Sequence, residues 1–203
     1  MPVPNLAKPA RSQLGALFQE GVRSVSRALP LCLGDASATV RSTRMESVAY
    51  GDLQRHFGSQ NGRRLLVGFT VTGAFGGTVA LWTQPTQVAT LLETMVPGVH
   101  ENGFDERAQA AFSEVCNILA SSFLNVAADR LRSFCIPSVP HFSSVEIGEL
   151  LEKLPGLDED PKKRASRSTW QTRMTLERGE KKCELHLVVL PETEFDAGIA
   201  RLS

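Results

Sequence analysis

Ala16-Leu17-Phe18-Gln19-Glu20-Gly21-Val22-Arg23 aligns without a gap on Ala110-Ala111-Phe112-Ser113-Glu114-Val115-Cys116-Asn117, with alanine, phenylalanine and glutamate at matching places. Amphipathic helices resemble one another, so the match alone decides little. Weight comes from the order of elements in each half: a long helix, a hairpin, a proline and a short helix occur in the same order twice, which is the mark of duplication.

The first copy lies in a helix predicted over about Ser12 to Leu29, ending before Pro30, with Leu14, Leu17, Phe18 and Val22 as its apolar stripe. A mixed segment with a strand near Ser37 to Arg44 comes next. Leu65 to Trp82 then carries no charged side chain over 18 residues, a marginal length for a membrane span. Its β-branched residues flank Gly73-Ala74-Phe75-Gly76-Gly77, so a buried hairpin with strands near Arg64–Thr72 and Thr78–Trp82 is the better reading. Pro85 suits the first turn of a short helix containing Val88, Leu91, Leu92 and Met95, stopped by Pro97 and Gly98.

In the second copy, a helix from about Asp105 to Leu131 leads into an extended stretch through Pro137 and Pro140 and a short helix near Ser144 to Leu154. A hairpin over Thr169–Leu176 and Cys183–Leu190 turns at Arg178-Gly179-Glu180, and Pro191 is expected to start a last short helix. Pro155 to Ser168, with its basic cluster Lys162 to Arg167, reads as a solvated loop. The fold class is therefore α/β of the α+β kind: a pseudo-twofold duplicated unit with long helices packed on a mostly antiparallel β-sheet. One domain is expected over residues 1–203, with internal halves at about 11–98 and 104–203.

Lysine plus arginine equals aspartate plus glutamate at 22 each, so no net field favours nucleic acid or a membrane surface. No nucleic-acid partner and no membrane insertion are expected. Cys32, Cys116, Cys135 and Cys183 show no CxxC pairing and read as free thiols of a reducing compartment. Met-Pro-Val-Pro-Asn lacks the basic start and apolar run of an export signal, so a cytoplasmic location is expected. His56, His100, His141 and His186 stand far apart without metal-ligand spacing, and no phosphate-binding glycine loop or nucleophile elbow is present. Trp82 and Trp170 are expected to pack in or beside the sheet.

Residues of a helix advance by about 100°. On the second long helix Phe104, Ala108, Ala111, Val115, Leu119, Phe123 and Val126 then form a buried arc, while Arg107, Ala110, Glu114, Asn117 and Ser121 form a narrow stripe roughly opposite. Glu114 and Asn117, three apart, point the same way. The small residues Ala110, Ala120, Ser121 and Ser122 suit close approach of another protein or packing against neighbouring helices equally well. By itself Glu-x-x-Asn is a common polar pattern of an exposed face.

The surrounding residues are more specific. Ser113-Glu114-Val115-Cys116-Asn117-Ile118-Leu119-Ala120-Ser121-Ser122-Phe123-Leu124-Asn125 resembles the signature helix of the CheC/CheX/FliY family of chemotaxis phosphatases, in which Glu-x-x-Asn runs into Ile-Leu-Ala and a later Leu-Asn. Pro140 stands where that pattern places a proline. Two departures stand out. Ala110 occupies the place of the family's aspartate or serine, and the first-half helix keeps Glu20 but has Arg23 for the asparagine and Glu46 for the proline. The first half is therefore expected not to be a working site.

The resemblance implies removal of phosphate from the aspartyl phosphate of a CheY-like response regulator, with this helix inserted beside the regulator's active site. It implies no cofactor bound by this chain, since Mg2+ sits on the partner regulator. Asn117 would orient the attacking water, because a neutral carboxamide both donates and accepts without repelling phosphoryl oxygens. Glu114 would dock a lysine of the partner. The rival expectation is a non-catalytic CheC-like module that binds a response regulator or another chemotaxis or flagellar partner. Ala110 and the degenerate first helix favour the module; Glu114, Asn117 and Pro140 favour the enzyme. A flagellar switch subunit is disfavoured, because the chain ends soon after its second half. Homodimerisation through hairpin edges is left open.

Overall fold

The computed structural model describes residues 8–58, 61–73, 76–99, 104–155 and 168–192. The predicted loop Lys162 to Arg167, His100, and the chain after Glu192 where a last helix was expected lie outside the described residues, as does the side chain of Leu14.

In chain order the elements are α1 (Lys8–Cys32), β1 (Thr39–Ser42), β2 (Glu46–Ala49), α2 (Tyr50–Gly58), β3 (Arg63–Gly73), β4 (Gly77–Thr83) and α3 (Pro85–Leu92). They continue with α4 (Glu106–Leu131), β5 (Cys135–Pro137), β6 (His141–Glu146), a 3-10 helix (Ile147–Lys153), β7 (Ser168–Arg178) and β8 (Lys181–Pro191). Every strand pairing is antiparallel.

The sheet runs β1-β7-β8-β4-β3-β5, with β2 also on β7 and β6 also on β3. Hairpin β3–β4 and hairpin β7–β8 meet where β4 pairs β8. There Leu81 faces Leu187, and each stands four residues before a proline, Pro85 or Pro191. That pair lies at the pseudo-twofold axis. Both hairpins sit inside the sheet, so the edges considered for dimerisation are already occupied, and the outer strands are β1 and β2 on one side and β5 and β6 on the other.

Both faces of the central strands are covered, which is why β3 reads as a continuous apolar run rather than an alternating one. Leu65, Val67, Phe69 and Val71 pack into the larger core under α1, α3 and α4. Leu66, with Ala80, Trp82 and Val188, packs into the smaller core under α2 and the 3-10 helix. The uncharged Leu65–Trp82 stretch is thus the predicted hairpin. Helix Glu106–Leu131 is long and apolar enough to cross a membrane, but it carries a buried row from Ala108 to Ala127 into the larger core.

Several boundaries differ from the sequence reading. Helix α1 does not stop before Pro30 but runs through it to Cys32. Proline in the last turn forfeits one backbone bond, and the burial of Leu29 and Leu33 in the core holds the turn together. Strand β2 and helix α2 lay unrecognised in the mixed segment; Tyr50, Leu53 and Phe57 are the buried stripe of α2. The predicted helix over Ser144–Leu154 begins as strand β6 and becomes 3-10 only from Ile147. Pro191 ends β8 opposite Gly77.

Helices α1 and α4 pack closely because of Gly21. A Cβ built there would come within 2.5 Å of the Phe123 ring. That ring is itself held by Phe18, at 5.6 Å between centroids, and Phe18 in turn meets the edge of Trp170 at 5.2 Å. Gly73 makes another close approach: at φ 109° its Cα lies against the Phe134 carbonyl, where any Cβ would collide.

Candidate functional site

Helix α4 is built to project a rigid face. Asp105 caps its start by accepting from the Ala108 N–H at 2.8 Å, and Arg132, in the left-handed region at φ 49°, ends it with a bond to the helix carbonyls. Between these caps Ala108, Phe112, Val115, Cys116, Leu119, Ala120, Phe123, Leu124 and Ala127 are buried. The buried arc is wider than the periodicity alone gave, and it is displaced: Phe104, Ala111 and Val126 are only half-buried. The reason is tertiary, since α4 is wedged between the sheet and α1 and buries two flanks.

What remains outward is the predicted polar stripe. Arg107, Ala110 and Glu114 are exposed, and Asn117 and Ser121 are half-buried at its border. Among the described residues Glu114 makes no ion pair, and the Asn117 side chain makes no hydrogen bond. Ala120 is a packing residue, and Ser122 returns its hydroxyl to the Ile118 carbonyl at 2.8 Å. Ala110 leaves the exposed stripe without a polar group one turn before Glu114. Pro140 is exposed in the link between β5 and β6.

The corresponding stripe of α1 is differently arranged. Glu20 is bound by Arg130 of α4, whose Nε and Nη2 lie 2.9 and 2.7 Å from one carboxylate oxygen. Arg23 is exposed and lines a groove of about 500 Å³ with Glu20, Arg27 and Val40. No sequence signal points to Arg130, because its partner is distant in the chain and no spacing rule joins them.

The thiols near α4 are not poised as nucleophiles. Burial pushes Cys116 well up from its ordinary pKa, with Cys32 adding to the effect, and Cys32 is itself raised by burial and then by the Glu114 carboxylate. Neutral thiols attack poorly. No group of three or more His, Cys, Asp or Glu among the described residues could hold a metal ion. The face therefore offers a carboxylate that can bind a cation and a carboxamide that can orient water.

The chain matches no protein-family model and no curated protein by sequence. Its likeness is to solved structures. Thermotoga maritima FliY aligns with a TM-score of 0.72 at 15% identity, over 97% of this chain and 96% of that one. The FliM middle domain from H. pylori aligns with a TM-score of 0.65 at 8% identity, over 96% and 99%. A chain of the CheX-CheY-BeF3-Mg2+ complex from Borrelia burgdorferi aligns with a TM-score of 0.54 at 13% identity, over 86% and 98%. The chain thus has the CheC/CheX/FliY-type α+β fold. The fold is shared equally by FliM, so it does not by itself separate an enzyme from a binding module.

Proposed function

We propose that this chain is a cytoplasmic phosphatase for the aspartyl phosphate of a CheY-like response regulator, with α4 as the docking helix. The observation that carries the reading is an exposed Glu114, without an ion pair among the described residues, beside Asn117 on one stripe of a capped helix. The shared fold with a chain of a CheX-CheY complex supports it.

In this mechanism the regulator contributes its acyl phosphate, its Mg2+ and most of the charge stabilisation. Glu114 binds a lysine of the regulator and fixes the register of the helix. Docking excludes water around this ion pair and strengthens it. Asn117, half-buried at the stripe's border, then holds a single water in line with the phosphorus through its carboxamide. The water attacks phosphorus and the P–O bond to the aspartyl carboxylate breaks, releasing inorganic phosphate. No group of this chain forms a covalent intermediate.

The test is decay of the phosphorylated response regulators of the same organism with Mg2+ present. The wild-type chain is expected to accelerate decay of one of them. Asn117→Ala should lose about 10²-fold of that acceleration while keeping its affinity, whereas Glu114→Ala should chiefly weaken docking. Wild-type rates from a folded Asn117→Ala protein would overturn the mechanism. Ala110 favours a second reading, a non-catalytic module that binds the regulator; tight binding with no acceleration across the full regulator set would select it.

A further inference from the structure

On the sheet face away from α1 and α4, cross-strand register aligns Arg173 of β7, His186 of β8 and Trp82 of β4 in one row. The Trp82 and His186 rings stack at 3.8 Å between centroids and 6° between planes, and the Arg64 guanidinium lies 5.7 Å from the Trp82 ring centre. Phe57 of α2 meets the edge of Trp82 at 5.5 Å, so the stack is a fixed wall. The turn between β1 and β2, the end of α2 and the start of α3 close around it to leave a cavity of about 430 Å³. That is the size of a small-molecule site, which runs from about 300 to 1,000 Å³.

Three guanidinium groups, those of Arg44, Arg64 and Arg173, line the cavity. Arg64 is 8% exposed and Trp82 5%; the Arg64 Nη1 donates to the Arg63 carbonyl at 3.0 Å, and among the described residues neither the Nε of Arg64 nor the Nε1 of Trp82 has a hydrogen-bond partner. Arg173, half exposed, reaches Glu184 only at 3.6 Å and can re-pair. His186 is held neutral at pH 7, its pKa pushed down to about 4 by burial and then by Arg173 and Arg64. Glu46 and Glu184, the carboxylates of the wall, are both exposed.

We propose that this cleft binds a small organic oxyanion, its carboxylate or phosphate held by Arg64 and Arg173 beside the Trp82–His186 stack. Planar guanidinium groups suit both kinds of oxyanion by paired hydrogen bonds. The site is independent of the phosphatase reading, since it shares no residue with the α4 stripe.

The full chain is titrated at pH 7 with inorganic phosphate, acetate and succinate, each to about 10 mM, a range that reaches the weak binding expected of such small probes, by calorimetry and by two-dimensional NMR of the His186 ring and the two indole N–H groups. Saturable binding is expected with at least one probe, moving the His186 and Trp82 resonances and leaving that of Trp170 unchanged. Saturation by phosphate alone identifies a phosphorylated ligand, and saturation by acetate or succinate a carboxylate. Arg173→Gln and Arg64→Met should each weaken binding at least tenfold. Arg173 is exposed enough for its variant to keep the native spectrum, so it decides the matter even if Arg64→Met does not fold. No saturation by any probe, or equal affinity in folded Arg173→Gln, would overturn the proposal.

Discussion

The two long helices carry a similar run of residues and differ in what their glutamates do. On α1, Glu20 is spent on an ion pair with Arg130 of the other helix, and the place of the amide is taken by Arg23. On α4, Glu114 is exposed and makes no ion pair among the described residues, beside the half-buried Asn117. A docking group is useful only while it lacks a partner of its own, so the same residue type is structural in one half and available in the other.

The comparison can be broken most severely by writing the first-half residue into the second. Asn117→Arg should remove on the order of 10²-fold or more of regulator dephosphorylation, with the circular dichroism spectrum unchanged; a retained rate in the assay would make the two stripes functionally equal. The next largest effect concerns the seam, where Trp82 of the first half stacks on His186 of the second. Because the folded His186 pKa lies near 4 and the ordinary value is 6.5, the unfolded chain binds the proton first. Its contribution is therefore complete above about pH 6.5 and is lost as pH falls through 4, by up to about 3 kcal/mol. Urea unfolding across this range should show that slope in the wild type and a shallower one in His186→Gln.

Gly21 aligns on Val115, yet only the glycine lies against the Phe123 ring. Gly21→Ala should destabilise by roughly 1–3 kcal/mol through overpacking, despite the better helix propensity of alanine; an unchanged urea midpoint would mean that Phe123 can move. Smallest is Arg130→Ala. Both partners of its pair are substantially exposed, at 64% and 38%, so less than about 1 kcal/mol is expected. Dephosphorylation should stay at the wild-type rate, and any large loss would show that the first-half stripe takes part after all.

Much of this is legible in the chain itself. Repetition of helix, hairpin and proline points to the duplicated α+β plan, and helical periodicity puts Glu114 and Asn117 on the outward stripe of α4. Short elements are harder. Strand β2 and helix α2 hold only Val48, Tyr50, Leu53 and Phe57 toward a core, too brief a pattern to stand out from a mixed segment. Pro30 reads as a helix stop because sequence rules weigh a missing N–H, whereas the buried Leu29 and Leu33 on either side carry the turn past it. The cleft is hidden for a different reason: Arg64, Trp82, Arg173 and His186 come from four separate strands.

By itself, then, the sequence determined the local and repeating features: which segments form the long helices and the hairpins, and which helix face turns outward, because these depend on residue type and on periods of about two or 3.6 residues. The tertiary structure alone decided that Glu20 is tied and Glu114 is not, that α4 buries two flanks, and that a donor-rich cleft lies at the seam. Those outcomes depend on which distant side chains meet, and that is fixed only when the two halves close against each other along β4 and β8.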